Sequence, residues 1–70
     1  MKFIEAYEQM KKGKTVKSFE DYGEGPVEFQ YRITDNEFES RCPSMEEHND
    51  WHLSTCNIRD LDATDWEVVG

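Results

Sequence analysis

The sequence predicts an α+β fold, with an N-terminal amphipathic helix packed on a small antiparallel sheet of four to five short strands. Apolar residues recur at helical spacing in residues 3–12, and they alternate strictly with polar residues in 27–34. The chain has only 70 residues, a size that supports a single domain, here residues 1–70. Small cores are marginally stable, so we also expect a homo-oligomer.

The predicted helix has its apolar positions on one face, at Phe3, Ala6, Tyr7 and Met10. Charged and amide side chains occupy the rest of residues 3–12, as in a helix that packs one side on a core. Gly13 follows, and glycine accepts the left-handed backbone conformation that commonly ends a helix. Lysines cluster around this end, where positive charge stabilises the helix dipole.

The clearest strand is predicted at residues 27–34, whose apolar positions are Val27, Phe29, Tyr31 and Ile33. Their period of two indicates a sheet with one buried face. Asp35 and Asn36 have the residue types of a hairpin turn, after which 37–41 should return antiparallel with Phe38 inward.

The remaining elements are predicted from weaker signals. A strand at 15–19 should precede a turn at 22–26, which contains two glycines and a proline. Ser44 and Glu47 have the spacing of a helix capping box and predict a short helix over 45–49. Trp51 and Leu53 lie two apart and predict a short strand.

The C-terminal segment combines an acidic turn with a strand-forming end. Residues 58–64 read as a loop or a short helical turn, and Trp66, Val68 and Val69 favour a terminal strand. Asp60 and Asp65 are expected to accept hydrogen bonds from local backbone N–H groups.

The net charge of −8 is unevenly distributed. Residues 1–17 hold five lysines against two glutamates, a balance of +3, whereas residues 18–70 hold three arginines against fourteen acids, a balance of −11. An acidic body argues against general nucleic-acid binding, which needs several cations on one face. No segment approaches the roughly 20 apolar residues of a membrane span, so we expect a cytoplasmic protein with reduced cysteines and no membrane partner.

No catalytic motif is evident, since no serine has a histidine at a compelling local spacing. We therefore predict a protein that is not an enzyme and needs no cofactor. Cys42, His48, His52 and Cys56 have the donor types that zinc prefers, but their order and spacing match no familiar zinc finger. We predict no metal site there, with two buried thiols and two surface imidazoles instead.

Both ends of the chain resemble one family. The N-terminal positions that carry the likeness are Phe3, Ala6, Met10, Lys11, Gly13, Lys14 and Val16, and the C-terminal ones are Asp60, Ala63, Asp65 and Trp66. In this pattern the sequence resembles the phage Thoeris anti-defense two family of small proteins that sequester cyclic nucleotide immune signals. The resemblance implies a homo-oligomer with nucleotide pockets at or near its interfaces, acting in the host cytoplasm without turnover of the signal.

Such a pocket needs aromatic faces for a base, donors for phosphates and acceptors for hydroxyls. By residue type and position, the stacking candidates are Phe19, Tyr22 and Trp51. The phosphate candidates are Lys14, Lys17 and Arg59, and Asn57 and Asp60 are candidates for hydroxyls or an exocyclic amine. Each has a structural alternative: tryptophans pack in cores or interfaces, aspartates cap turns, and lysines solvate helix ends.

The composition also supports a second function. Sixteen acidic residues in 70 could imitate a phosphate lattice and steer association with a basic surface. The alternative is therefore an acidic interaction protein that blocks a host enzyme by nucleic-acid mimicry.

Overall fold

One helix and five antiparallel strands form the fold in a computed structural model that describes residues 1–21, 23–55 and 61–69. The elements are α1 (Phe3–Lys11), β1 (Val16–Asp21), β2 (Pro26–Thr34), β3 (Glu37–Arg41), a 3-10 helix (Glu46–His48), β4 (His52–Leu53) and β5 (Glu67–Val68). The strand order is β4-β3-β2-β1-β5. The predicted α+β architecture is confirmed.

The register divides the sheet into two faces. Val16 lies opposite Tyr31 in the β1–β2 pair, and Ile33 lies opposite Phe38 in the β2–β3 pair. These side chains pack against α1 and its neighbours, on what we call the helix face. Because successive side chains in a strand point to opposite sides, Lys17 and Phe19 belong to the other side, which we call the polar face.

The end of α1 follows from the glycine that succeeds it. Gly13 has a φ of 88°, in the left-handed region that favours glycine. Its amide donates to the carbonyl of Met10, and the amide of Lys14 donates to the carbonyl of Gln9. These two bonds are those of a Schellman motif, which satisfies carbonyls at the helix end. The predicted stop is therefore confirmed, with the last helical residue one position earlier, at Lys11.

The core is built around Trp66, which is 1% exposed. Its ring makes edge contacts with Phe3 at 5.6 Å and with Tyr31 at 5.1 Å between centroids. Ala6 and Met10 of α1 are buried in the same cluster. A helix and a strand from distant parts of the sequence thus meet on one indole, and the structural interpretation of Trp66 is confirmed.

The β2–β3 hairpin follows its local sequence. Asp35 and Asn36 both have positive φ, 52° and 65°, as the tightest hairpin turns require. Thr34 then pairs with Glu37. Phe38 packs partly buried against the core, as predicted.

Two local predictions were wrong. Ser44 does not cap a helix at 45–49; the 3-10 helix runs only over Glu46–His48, and Met45 precedes it without a side-chain cap. The chain is held there by a backbone bond of 2.7 Å from the Cys42 amide to the His48 carbonyl. Because that bond links residues six apart, it closes the segment as a loop rather than a regular helix.

The carboxylate of Asp65 also has a different role from the predicted local cap. It accepts a hydrogen bond of 2.9 Å from the hydroxyl of Ser18, which is buried on β1. The bond joins the segment before β5 to the strand with which β5 pairs. The predicted cap at Asp60 lies outside the described residues. Within those residues, the structure contains no helix of the length and apolarity needed to cross a bilayer.

Candidate binding face

The structure brings three of the eight predicted ligand residues to the polar face. Lys17 and Phe19 lie there on β1, with the Lys17 ammonium 5.8 Å from the centre of the Phe19 ring. Trp51 reaches the same face from the residue before β4, through its contacts with Arg32 and Arg41. Lys14 is exposed in the α1–β1 connection, outside the sheet. The other four, Tyr22, Asn57, Arg59 and Asp60, lie outside the described residues.

Trp51 packs on cations rather than in the core cluster. Its ring centroid lies 4.2 Å from the guanidinium carbon of Arg32 and 4.9 Å from that of Arg41. The side chain is half-buried. A cation over an indole is attracted by the negative ring face, and arginine also stacks on it through its own plane. The predicted core position of Trp51 is therefore corrected to a sheet-face position.

A hydrogen-bonded row crosses three strands of this face. Lys17, Gln30 and Arg41 lie opposite one another in the register of β1, β2 and β3. Arg41 Nε donates to Gln30 Oε1 at 2.7 Å, and Gln30 Nε2 donates to Glu28 Oε2 at 2.7 Å. Gln30 is only 7% exposed, so its amide is held in one orientation by partners on both sides.

The cations of this face differ in how fully they are neutralised. Arg32 Nε lies 2.8 Å from a Glu39 carboxylate oxygen. Lys17 lies 3.8 Å from both Glu28 and Glu67, so two negative charges surround one positive charge. Arg41 hydrogen-bonds to a neutral amide and forms no ion pair with any described carboxylate. An anion is therefore accommodated at Arg41 with less repulsion than at Lys17.

Sequence reasoning missed Arg32 and Arg41, although the signal was present. Arg32 alternates with the apolar residues of β2 and so had to lie on the polar face. A two-residue turn at Asp35 and Asn36 pairs residue 34 with 37, and therefore Gln30 with Arg41. The contact of both arginines with Trp51 had no such local signal, because it depends on where the chain returns after the 3-10 helix.

A serine and a histidine meet at the sheet edge. Ser40 Oγ lies 3.5 Å from His52 Nε2, and His52 Nδ1 lies 3.1 Å from the Asp50 carbonyl oxygen. A base that activates a nucleophile is expected about 2.6–3.2 Å from it, and no carboxylate completes the arrangement among the described residues. We therefore assign no nucleophile here. Cys42 is buried and both histidines are exposed, as predicted, and Cys56 lies outside the described residues.

The described residues thus define a small α+β domain with an aromatic and cationic cluster on the sheet face opposite its helix. No family model, curated protein or solved structure matches the chain.

Proposed function

We propose that this protein binds a nucleotide-derived immune signal on its polar face and sequesters it without turnover. The signal would be a cyclic ADP-ribose isomer or a cyclic oligonucleotide, and the protein would act in the host cytoplasm as a phage-type anti-defense protein. One observation carries the proposal: Trp51, a half-buried aromatic ring, stands beside Arg41, a cation with no described carboxylate partner.

These two groups have the chemistry that a nucleotide requires. Indole rings stack on bases of any sequence, with about 1–3 kcal/mol per stacked base. A guanidinium binds phosphate oxygens through two parallel hydrogen bonds. Phe19 and Lys17 extend the face by a second aromatic ring and a second cation. The likeness of both chain ends to the anti-defense family supports the same class of ligand.

Sequestration places a demand on affinity. A protein that only binds its ligand competes with the effector by mass action, and each tenfold gain requires about 1.4 kcal/mol. A second copy that closes over the polar face would add contacts to the ligand. Leu53 lies on this face and is 66% exposed, which supports a homo-oligomer with the ligand near its interface.

Thermal unfolding with a panel of cyclic ADP-ribose isomers and cyclic oligonucleotides tests the proposal. A ligand at 100 times its Kd adds about 2.7 kcal/mol to the free energy of unfolding, and each kcal/mol raises the Tm of a domain of this size by about 4–8 °C. The ligand released on heating should be chemically unchanged by mass spectrometry. A Tm that no member of the panel raises would reject the proposal.

Two variants locate the site, and a third controls for charge. Trp51→Ala and Arg41→Gln should each remove most of the Tm shift. Lys12→Gln removes the same charge as Arg41→Gln from an exposed position beyond α1 and should leave the shift intact. Equal loss in all three variants would indicate a general charge effect instead of a site.

The second candidate is an acidic protein that blocks a basic host enzyme. It is favoured by the placement of the carboxylates, since none of those described is buried. Affinity for a basic host protein should then fall steeply between low and moderate salt, and the purified protein should release no small molecule on heating.

A further inference from the structure

A cavity of about 370 Å³ on the helix face, beside the β3–β4 edge, collects nitrogen and sulfur donors. Cys42, Met45, His48 and His52 all line it. These side chains are separate from the Arg41–Trp51 cluster that carries the proposed function. Imidazole nitrogen and thiolate sulfur are the donors that zinc prefers.

Backbone pairing brings these donors together. His52 lies opposite Ser40 in the β3–β4 register, and Cys42 follows two residues later on the same side of β3. The Cys42 amide donates to the His48 carbonyl at 2.7 Å, which returns His48 to the end of β3. The centroids of the two imidazole rings are consequently 6.0 Å apart.

His52 is oriented as metal-binding histidines commonly are. Its Nδ1 lies 3.1 Å from the Asp50 carbonyl oxygen, which can only accept a hydrogen bond. In the neutral ring Nδ1 therefore carries the proton, and Nε2 presents a lone pair. The nearest described group, Ser40 Oγ, lies 3.5 Å from Nε2, beyond the usual length of a strong hydrogen bond. A backbone carbonyl that holds one imidazole nitrogen so that the other can bind a metal is a recurrent second-shell arrangement.

We propose that His48, His52 and Cys42 bind a single Zn²⁺ ion. Two imidazoles on one tetrahedral zinc, with Zn–N distances of about 2.0–2.1 Å, have ring centres about 5 Å apart. The observed separation of 6.0 Å is thus about 1 Å too wide, and no three ligating side chains among the described residues are grouped closely enough to hold an ion in this conformation. Both histidines are exposed and rotate toward the buried thiol on binding.

The chemistry of binding balances simply. Zn²⁺ replaces the proton on the Cys42 sulfur, and that proton passes to the buffer. Two neutral imidazoles and one thiolate leave the fourth tetrahedral position open to water. The ion would clamp the end of β3, the 3-10 helix and β4 together.

Titration with Co²⁺, a spectroscopic substitute for Zn²⁺, tests the site. The wild-type protein should bind one ion with a thiolate-to-cobalt charge-transfer band, and Zn²⁺ should displace it. Cys42→Ser should abolish the band, and His48→Asn and His52→Asn should each weaken binding at least about tenfold, since even the loss of a second-shell partner costs 10–100-fold. Ser44→Ala is the matched control: Ser44 lies 3.6 Å from the Cys42 sulfur but is not a proposed ligand, so its band should persist.

A second measurement guards against a variant that fails to fold. The chain has only two histidines, so the two imidazole signals in the NMR spectrum of the wild-type protein are readily assigned. One equivalent of Zn²⁺ should shift both together. The proposal is overturned if neither or only one signal shifts, or if the charge-transfer band survives in a folded Cys42→Ser protein.

Discussion

The guanidinium of Arg32 lies 4.2 Å from the centre of the Trp51 indole, on the face of the sheet opposite α1. The two residues come from the middle of β2 and from the segment before β4, and their contact gives the polar face its largest aromatic surface. The other tryptophan, Trp66, lies in the core on the helix face. The two tryptophans therefore have separate roles, one in stability and one in the proposed binding site.

Trp66→Ala should be far more destabilising than Trp51→Ala. Truncating a buried aromatic residue costs about 3–5 kcal/mol, a large part of the 5–15 kcal/mol typical of a whole domain. Loss of an exposed cation–π contact costs about 0.5–1 kcal/mol. Urea unfolding followed by circular dichroism gives both values, and equal losses would contradict the assignment of the two tryptophans to different environments.

Asp65→Ala should destabilise the protein by about 1–3 kcal/mol, because it leaves the buried Ser18 hydroxyl without its partner. Ser18→Ala should cost less, since it removes the buried polar group itself. A double-mutant cycle should then give a coupling energy of about 0.5–3 kcal/mol. Asp62→Ala changes a nearby exposed carboxylate and should be nearly neutral; a comparable loss there would assign the effect to general charge.

Asn36→Val should destabilise the β2–β3 hairpin by about 1–2 kcal/mol. Asn36 has a φ of 65°, and a left-handed conformation costs roughly that much for residues with a bulky Cβ. Asn36→Gly should be neutral or stabilising, because glycine adopts positive φ freely and Asp-Gly is a preferred pair in such turns. Thermal unfolding of the two variants decides the point, and the same Tm for both would argue against the turn geometry.

Glu67→Gln should strengthen the binding of an anionic ligand to the polar face. Glu67 and Glu28 both lie 3.8 Å from the Lys17 ammonium, so the change leaves one carboxylate beside that cation. The expected gain is about 0.2–1 kcal/mol, the range for a partly exposed ion pair. Glu47→Gln makes the same charge change on the 3-10 helix, and isothermal titration of both variants should show the gain only for Glu67. An equal gain would mean that net charge alone controls affinity.

Predictions from the sequence succeeded where the signal repeats over short distances. The alternation in β2 and the two-residue turn after it determined the β2–β3 register, and Gly13 determined where α1 ends. The Ser44 capping box failed because a motif of four residues competes with a backbone bond from Cys42 to His48 that closes a longer loop. The cap expected at Asp65 failed in a similar way, since a buried hydroxyl on β1 is the partner of its carboxylate.

The candidate site divides along the same line. The sequence alone identified Lys17, Phe19 and Trp51 as residue types suited to a nucleotide, and its alternation implies that Arg32 lies on a solvent-facing side of β2. Only the tertiary structure decided that Trp51 meets Arg32 and Arg41, and that Lys17 lies between two carboxylates while Arg41 does not. Side-chain periodicity is a property of one strand and is visible in its residues. Which charges and rings face each other depends on how separate strands and loops pack, and that is determined by contacts between residues far apart in the chain.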